Sequence, residues 1–88
     1  MLDKRNHWLI IDNKKIDLTT MQVKLYEILE NNKNNYVLIE EIAKALYGDI
    51  EVDCDVKRAI SINICRLRKK DKLIKIRTRR EVGYMLEV

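Results

Sequence analysis

Apolar and polar positions repeat at two different periods along the chain, and the changes of period mark its elements. His7-Trp8-Leu9-Ile10-Ile11 is aromatic and β-branched, Asp12-Asn13-Lys14-Lys15 is turn chemistry, and Ile16-Asp17-Leu18 resumes a two-residue alternation. This predicts a short N-terminal hairpin. Thr19 and Gln22 then stand as a capping box, opening a segment in which Met21, Leu25, Ile28 and Leu29 share one helical face that Val23 and Tyr26 widen. The helix is expected to end in Asn31-Asn32-Lys33-Asn34-Asn35, a polar run whose side chains favour turns.

Tyr36-Val37-Leu38 predicts a brief extended piece before a second helix over 39–47, where Ile39, Ile42, Ala43, Leu46 and Tyr47 repeat at helical spacing and Gly48 follows as the C-cap. Residues 49–55 are acidic and aperiodic, a loop that brings Asp53 or Asp55 to the start of the next helix, where a carboxylate suits the N-cap and the dipole. The third helix, about 56–70, separates two chemistries at about 100° per residue. Val56, Ile60, Ile64 and Leu67 form its core stripe, and Arg58, Ile62, Cys65, Arg66 and Lys69 gather on the other side, flanked by Ala59, Ser61 and Asn63. Two strands, 73–78 and 82–88, joined at Arg79-Arg80-Glu81, make a C-terminal hairpin with a cationic tip.

This order predicts an α+β fold: a winged helix-turn-helix with short N-terminal β-strands, a three-helix core and a C-terminal β-hairpin wing. The 88 residues suit one domain over 1–88, with no internal repeat, no linker and no proline. Apolar residues at 47% can close a small core, and charged residues at 36% can cover it.

Charge sharpens this picture. Up to Asp55 the chain has 7 basic and 11 acidic residues, and beyond it 11 basic and 3 acidic, so the two parts carry −4 and +8. The excess clusters in Arg66, Arg68, Lys69, Lys70, Lys72, Lys75, Arg77, Arg79 and Arg80. Clustering on the third helix and the hairpin tip points to a polyanionic partner rather than to a merely solvated face.

Other function classes lose ground on residue counts. One His and two Gly supply no Ser-His-Asp set, no metal cluster and no phosphate-cradling glycine loop, so the chain does not read as an enzyme and no cofactor is expected. Cys54 and Cys65 lack CxxC spacing and stand too far apart along a helix for a disulfide, so both are expected as free thiols. No apolar run approaches the ~20 residues of a membrane span and the start has no signal-peptide character, which leads us to expect a cytoplasmic protein with no membrane partner. Trp8 and Tyr84 read as packing aromatics, and His7 as exposed.

Leu18-Thr19, Glu40-Glu41-Ile42, Tyr47-Gly48, the stretch Ile62-Asn63-Ile64-Cys65-Arg66-Leu67-Arg68-Lys69-Lys70 and the stretch Ile76-Arg77-Thr78-Arg79-Arg80-Glu81-Val82-Gly83-Tyr84 together resemble the OmpR/PhoB-type effector domain. In that family the last two stretches run roughly V-H-I-x-R-L-R-K-K and I-x-T-V-R-G-V-G-Y. The resemblance covers nearly the whole chain and implies a bacterial transcriptional regulator that binds double-stranded DNA. Tandem copies on direct repeats, the third helix in the major groove and the wing in the minor groove go with it. It assigns Arg66 to base edges, Ile62 to a thymine methyl, Arg58 and Arg68 to phosphates and Arg80 to the minor groove, with Ser61, Asn63, Cys65, Lys69, Thr78 and Arg79 in the same interface. In that family the loop corresponding to 49–55 can touch RNA polymerase, and the alternative reading is an acidic loop that only solvates and caps the next helix.

Departures from the family pattern are local. Ser61 and Asn63 stand where Asp and His are common, Glu81 replaces the wing glycine, and Leu38 replaces a helix-capping Ser. No receiver domain is expected, so the regulator would act without its own sensor. Two rival readings keep the fold: a plasmid or phage accessory protein marking an origin of replication or transfer, and a winged-helix module that binds an acidic protein instead of DNA.

Overall fold

A computed structural model describes residues 1–88. The chain opens with strands β1 (Leu2–Asp3), β2 (Trp8–Ile11) and β3 (Lys14–Asp17), continues through α1 (Thr20–Asn31), β4 (Val37–Leu38), α2 (Ile39–Tyr47) and α3 (Cys54–Lys70), and closes with β5 (Ile76–Arg79) and β6 (Gly83–Leu86). This is the α+β winged-helix architecture, with an antiparallel sheet of order β1-β2-β3 ahead of the helices and a second of order β4-β6-β5, to which β4 comes from between α1 and α2.

The N-terminal hairpin carries an additional strand. Leu2 pairs with Leu9 and Asp3 with Trp8, and Asp3 holds the link by accepting from the backbone N–H groups of Arg5 and Asn6 and from the Asn6 side-chain amide. The turn of the main hairpin is two residues long, not four. Asp12 and Asn13 adopt φ of 48° and 65°, the left-handed pair that matches the twist of a tight hairpin, and Lys14 and Lys15 already pair with Ile11 and Ile10. His7 also adopts a left-handed φ and is half-buried, its carbonyl accepting from Leu18 N–H, which corrects the expectation of an exposed residue.

Helix α1 begins as its sequence dictates. Thr19 Oγ1 accepts from Gln22 N–H at 3.1 Å, and Gln22 Oε1 accepts from Thr19 N–H at 2.9 Å, satisfying two of the donors a helix start leaves open. Helix α2 has no such side chain, because Leu38 offers no acceptor. Glu41 accepts from Leu38 N–H at 3.4 Å, and the Val82 carbonyl of the wing accepts from Ile39 N–H at 3.1 Å, so the neighbouring sheet takes over part of the cap.

The boundaries of the third helix and of both wing strands differ from expectation, β6 spanning Gly83–Leu86 and not 82–88. Helix α3 starts at Cys54, two residues early, because Asp53 caps it by accepting from Val56 N–H at 2.9 Å and Asp55 fits the first turn. At the other end, 73–75 is not strand: Asp71 turns the chain, accepting from Leu73 N–H, and β5 starts only at Ile76. The wing turn is accordingly Arg80-Glu81-Val82, and Arg79 belongs to the strand opposite Gly83.

One core of 18 buried residues joins all these pieces. Leu9 and Ile16 come from the first sheet, Leu18 from the connection that follows it, Leu25 and Leu29 from α1, Ile42 and Leu46 from α2, Ile60, Ile64 and Leu67 from α3, and Ile76, Tyr84 and Leu86 from the wing. Helix α3 therefore buries a narrow stripe, flanked by half-buried Ala59, Asn63 and Arg68, and leaves the opposite side exposed. Val56, at the end of that stripe, is only half-buried.

Candidate nucleic-acid interface

The free face of α3 follows from the burial of Ile60, Ile64 and Leu67, which fixes its rotation. Arg58, Ser61, Ile62, Cys65, Arg66 and Lys69 are exposed, spaced three and four residues apart along one side. Ile62 keeps 43% of its surface accessible in the middle of this charged face. Cys65 and Cys54 are both exposed free thiols.

Asn63 is half-buried beside this face. Its side-chain amide donates to the Ala59 carbonyl at 3.0 Å, which points the group back along the helix. Arg68 is placed differently from its neighbours. It is half-buried, its Nε donates to the Ile76 carbonyl at 2.9 Å, and a terminal nitrogen donates to Thr78 Oγ1 at 2.5 Å. The side chain assigned to phosphate by resemblance is thus engaged with the wing strand.

Arg79 and Arg80 are exposed at the wing. The guanidinium of Arg79 lies 5.7 Å from the ring centroid of Tyr36, within reach of a cation–π contact across β6 to the connection preceding β4. Sequence reasoning missed Tyr36 as a neighbour of the site, and its position just before Val37, which pairs with Tyr84, is the only signal that could have placed it there.

The charge of this surface is not internally neutralised. The molecule has three salt bridges, Lys4 with Glu27, Lys14 with Asp71 and Arg77 with Glu87, and none of Arg58, Arg66, Lys69, Arg79 or Arg80 takes part. Arg77, counted in the cationic cluster from sequence, is tied to Glu87 and leaves it. Glu81, in the wing turn, adopts φ of 63° and sets a carboxylate next to Arg80.

The groups on these two elements match what duplex DNA presents. Guanidinium forks fit guanine O6/N7 or phosphate, an exposed aliphatic side chain fits a thymine methyl, and arginine is drawn to narrow A·T minor grooves. The acidic segment leads directly into α3, with Asp49, Glu51 and Asp53 exposed ahead of the helix, Asp55 exposed in its first turn, and a shallow apolar groove beside it formed by Tyr47, Ile50, Val56 and Ala59. No helix is long and apolar enough to cross a membrane.

Comparison with solved structures agrees on the architecture. The DNA-binding domain of Bacillus subtilis CssR superposes with a TM-score of 0.82 at 22% identity, over 98% of this chain and 97% of that one. The DNA-binding domain of CpxR from E. coli gives 0.83 at 23% identity, over 98% and 87%. The Klebsiella pneumoniae RstA DNA-binding domain, solved in complex with the RstA box, gives 0.80 at 24% identity, over 98% and 88%. No curated protein matches the chain in sequence. Residues 13–86 match the family described as "Transcriptional regulatory protein, C terminal". The chain belongs to that family, the OmpR/PhoB-type winged-helix DNA-binding domains of transcriptional regulators.

Proposed function

We propose that residues 1–88 act as one winged-helix unit that binds double-stranded DNA sequence-specifically and regulates transcription, with α3 in the major groove and the wing in the adjacent minor groove. The observation that carries this reading is the exposed face of α3, where unpaired Arg58, Arg66 and Lys69 surround Ile62, Ser61 and Cys65. The isoleucine at the centre of these cations adds an apolar contact of the kind that meets a thymine methyl on a base-reading surface. The RstA relative, solved with its DNA box, supports the same mode of action.

In this reading Arg66 reads base edges, Ile62 meets a thymine methyl, and Ser61 and Asn63 lie beside the bases. Cys65 fills the interface as a small neutral side chain, Arg58 and Lys69 neutralise phosphates, and Arg79 and Arg80 face the minor groove beside Thr78. Tandem copies would occupy direct repeats, and the acidic loop at Asp49–Asp55, with its apolar groove, is the surface offered to RNA polymerase. The protein would work in the bacterial cytoplasm.

Titration of wild type, Arg66→Ala and Arg58→Ala against a preferred and a scrambled duplex at several salt concentrations tests the assignment. Arg66→Ala is expected to lose about 1–3 kcal/mol on the preferred duplex and little on the scrambled one. Arg58→Ala is expected to weaken both alike and to flatten the salt slope by about 1. Equal wild-type affinity for the two duplexes would sink the reading and favour the protein-binding rival.

A further inference from the structure

Strand β5 lies at the outer edge of the sheet β4-β6-β5, so its outward carbonyls have no strand partner. The Ile76 carbonyl is one of them, and Arg68 Nε satisfies it at 2.9 Å while a terminal nitrogen of the same guanidinium reaches Thr78 Oγ1 at 2.5 Å. Ile76 and Thr78 are two residues apart on one strand, so the planar fork grips two points along β5 and fixes its direction as well as its distance. Lysine, with a compact ammonium, has no such fork.

The position of this grip gives it a consequence for recognition. Arg66, on the free face of α3, lies two residues before Arg68, and Arg79 and Arg80 follow Thr78 directly. We propose that Arg68 is a positioning residue that sets the angle between α3 and the wing, so that major-groove and minor-groove readers arrive in register. This rests on the DNA-binding reading above and revises the phosphate role implied by resemblance. Its Nε and one terminal nitrogen are engaged within the protein, and the ordering of the wing is met on folding instead of on binding.

A double-mutant cycle tests this with the 88-residue chain and a duplex selected by the wild type that carries an A-tract beside the half-site. Affinities are measured for wild type and Arg80→Ala, each repeated in Arg68→Lys and Thr78→Val backgrounds at several salt concentrations, with melting curves to verify folding. Arg80→Ala should cost about tenfold in the intact protein and less than about threefold once either variant opens the clamp, because the clamp couples the wing to the helix that carries Arg66. Arg68→Lys, which keeps the charge, should leave the salt slope unchanged.

An Arg80→Ala penalty that is the same in all three backgrounds would overturn the proposal. So would wild-type affinity in Arg68→Lys together with a salt slope lowered by about 1 in Arg68→Ala, the signature of a simple phosphate contact. Should Arg68→Lys fail to fold, Thr78→Val still decides, since it removes one hydroxyl and leaves the arginine in place. Absence of any duplex preference in the wild type would instead remove the DNA-binding reading on which the clamp rests.

Discussion

A β-carbon on residue 83 would stand 1.9 Å from the carbonyl oxygen of Val37. Gly83 pairs with Leu38, the neighbour of Val37, where β4 meets β6, so the glycine lets the short strand before α2 dock against the wing. Gly83→Ala must therefore push β4 and β6 apart, and backbone atoms have no side-chain freedom with which to yield. We expect a loss of about 3 kcal/mol, seen as a lower melting temperature together with lost protection of the wing amides in hydrogen exchange. A variant melting like the wild type would contradict this packing.

Glu81 is the opposite case, a side chain where glycine would serve better. Its φ of 63° carries a steric cost that glycine lacks, and it adds a carboxylate next to Arg80 in the wing turn. Glu81→Gly should raise stability by about 1 kcal/mol, a gain of about 4–8 °C in Tm for a domain of this size, and tighten binding to duplex DNA at fixed salt. A lower Tm would show that the left-handed turn is held without cost.

Asp53 starts the recognition helix, accepting from Val56 N–H at 2.9 Å. Asp53→Ala should lower stability by about 1 kcal/mol, and Asp53→Asn should recover most of it because an amide oxygen can accept the same bond. Chemical denaturation of the three proteins at one pH measures both differences. Full loss in the asparagine variant would place the effect in charge rather than in the cap.

Burial raises the pKa of Tyr26 above its ordinary value of 10.0, with the nearby Glu30 carboxylate adding to the shift. The folded state thus keeps the phenol proton after the unfolded state has released it. Stability from this group is fully present below pH 10 and falls as pH rises through the unfolded and then the folded pKa. A Tyr26→Phe protein should lose less stability than wild type between pH 9 and 11, followed by denaturant midpoint. Identical alkaline slopes would count against the shift.

Much of this molecule is legible in the order of its residues, and the exceptions have physical causes. The Thr19–Gln22 capping box and the apolar stripe of Ile60, Ile64 and Leu67 are local signals, repeated over whole turns, and the structure reproduces them. Strand β1 is two residues long, too short for any alternation to show, and exists because Leu2 finds Leu9 across the turn. Leu73-Ile74-Lys75 has strand composition, but Asp71 turns the backbone there and Ile74 packs into the core from a turn.

The site divides in the same way. Exposure of Arg58, Ile62 and Arg66 follows from helical phase alone, once the core stripe is known. What phase cannot give is the partner of a long side chain. Arg68 meets residues 8 and 10 positions further along the chain, and Arg79 meets Tyr36, both set by the docking of the wing and not by neighbours in sequence.

The central claim is that α3 reads bases. Selection of bound sequences from random duplex DNA at ~150 mM salt, where screening suppresses purely electrostatic binding, tests it most directly. The account predicts an enriched half-site containing a guanine for Arg66 and a neighbouring thymine for Ile62, flanked by an A·T-rich segment for the wing and repeated in the same orientation one helical turn away. A bound pool indistinguishable from the input would contradict it.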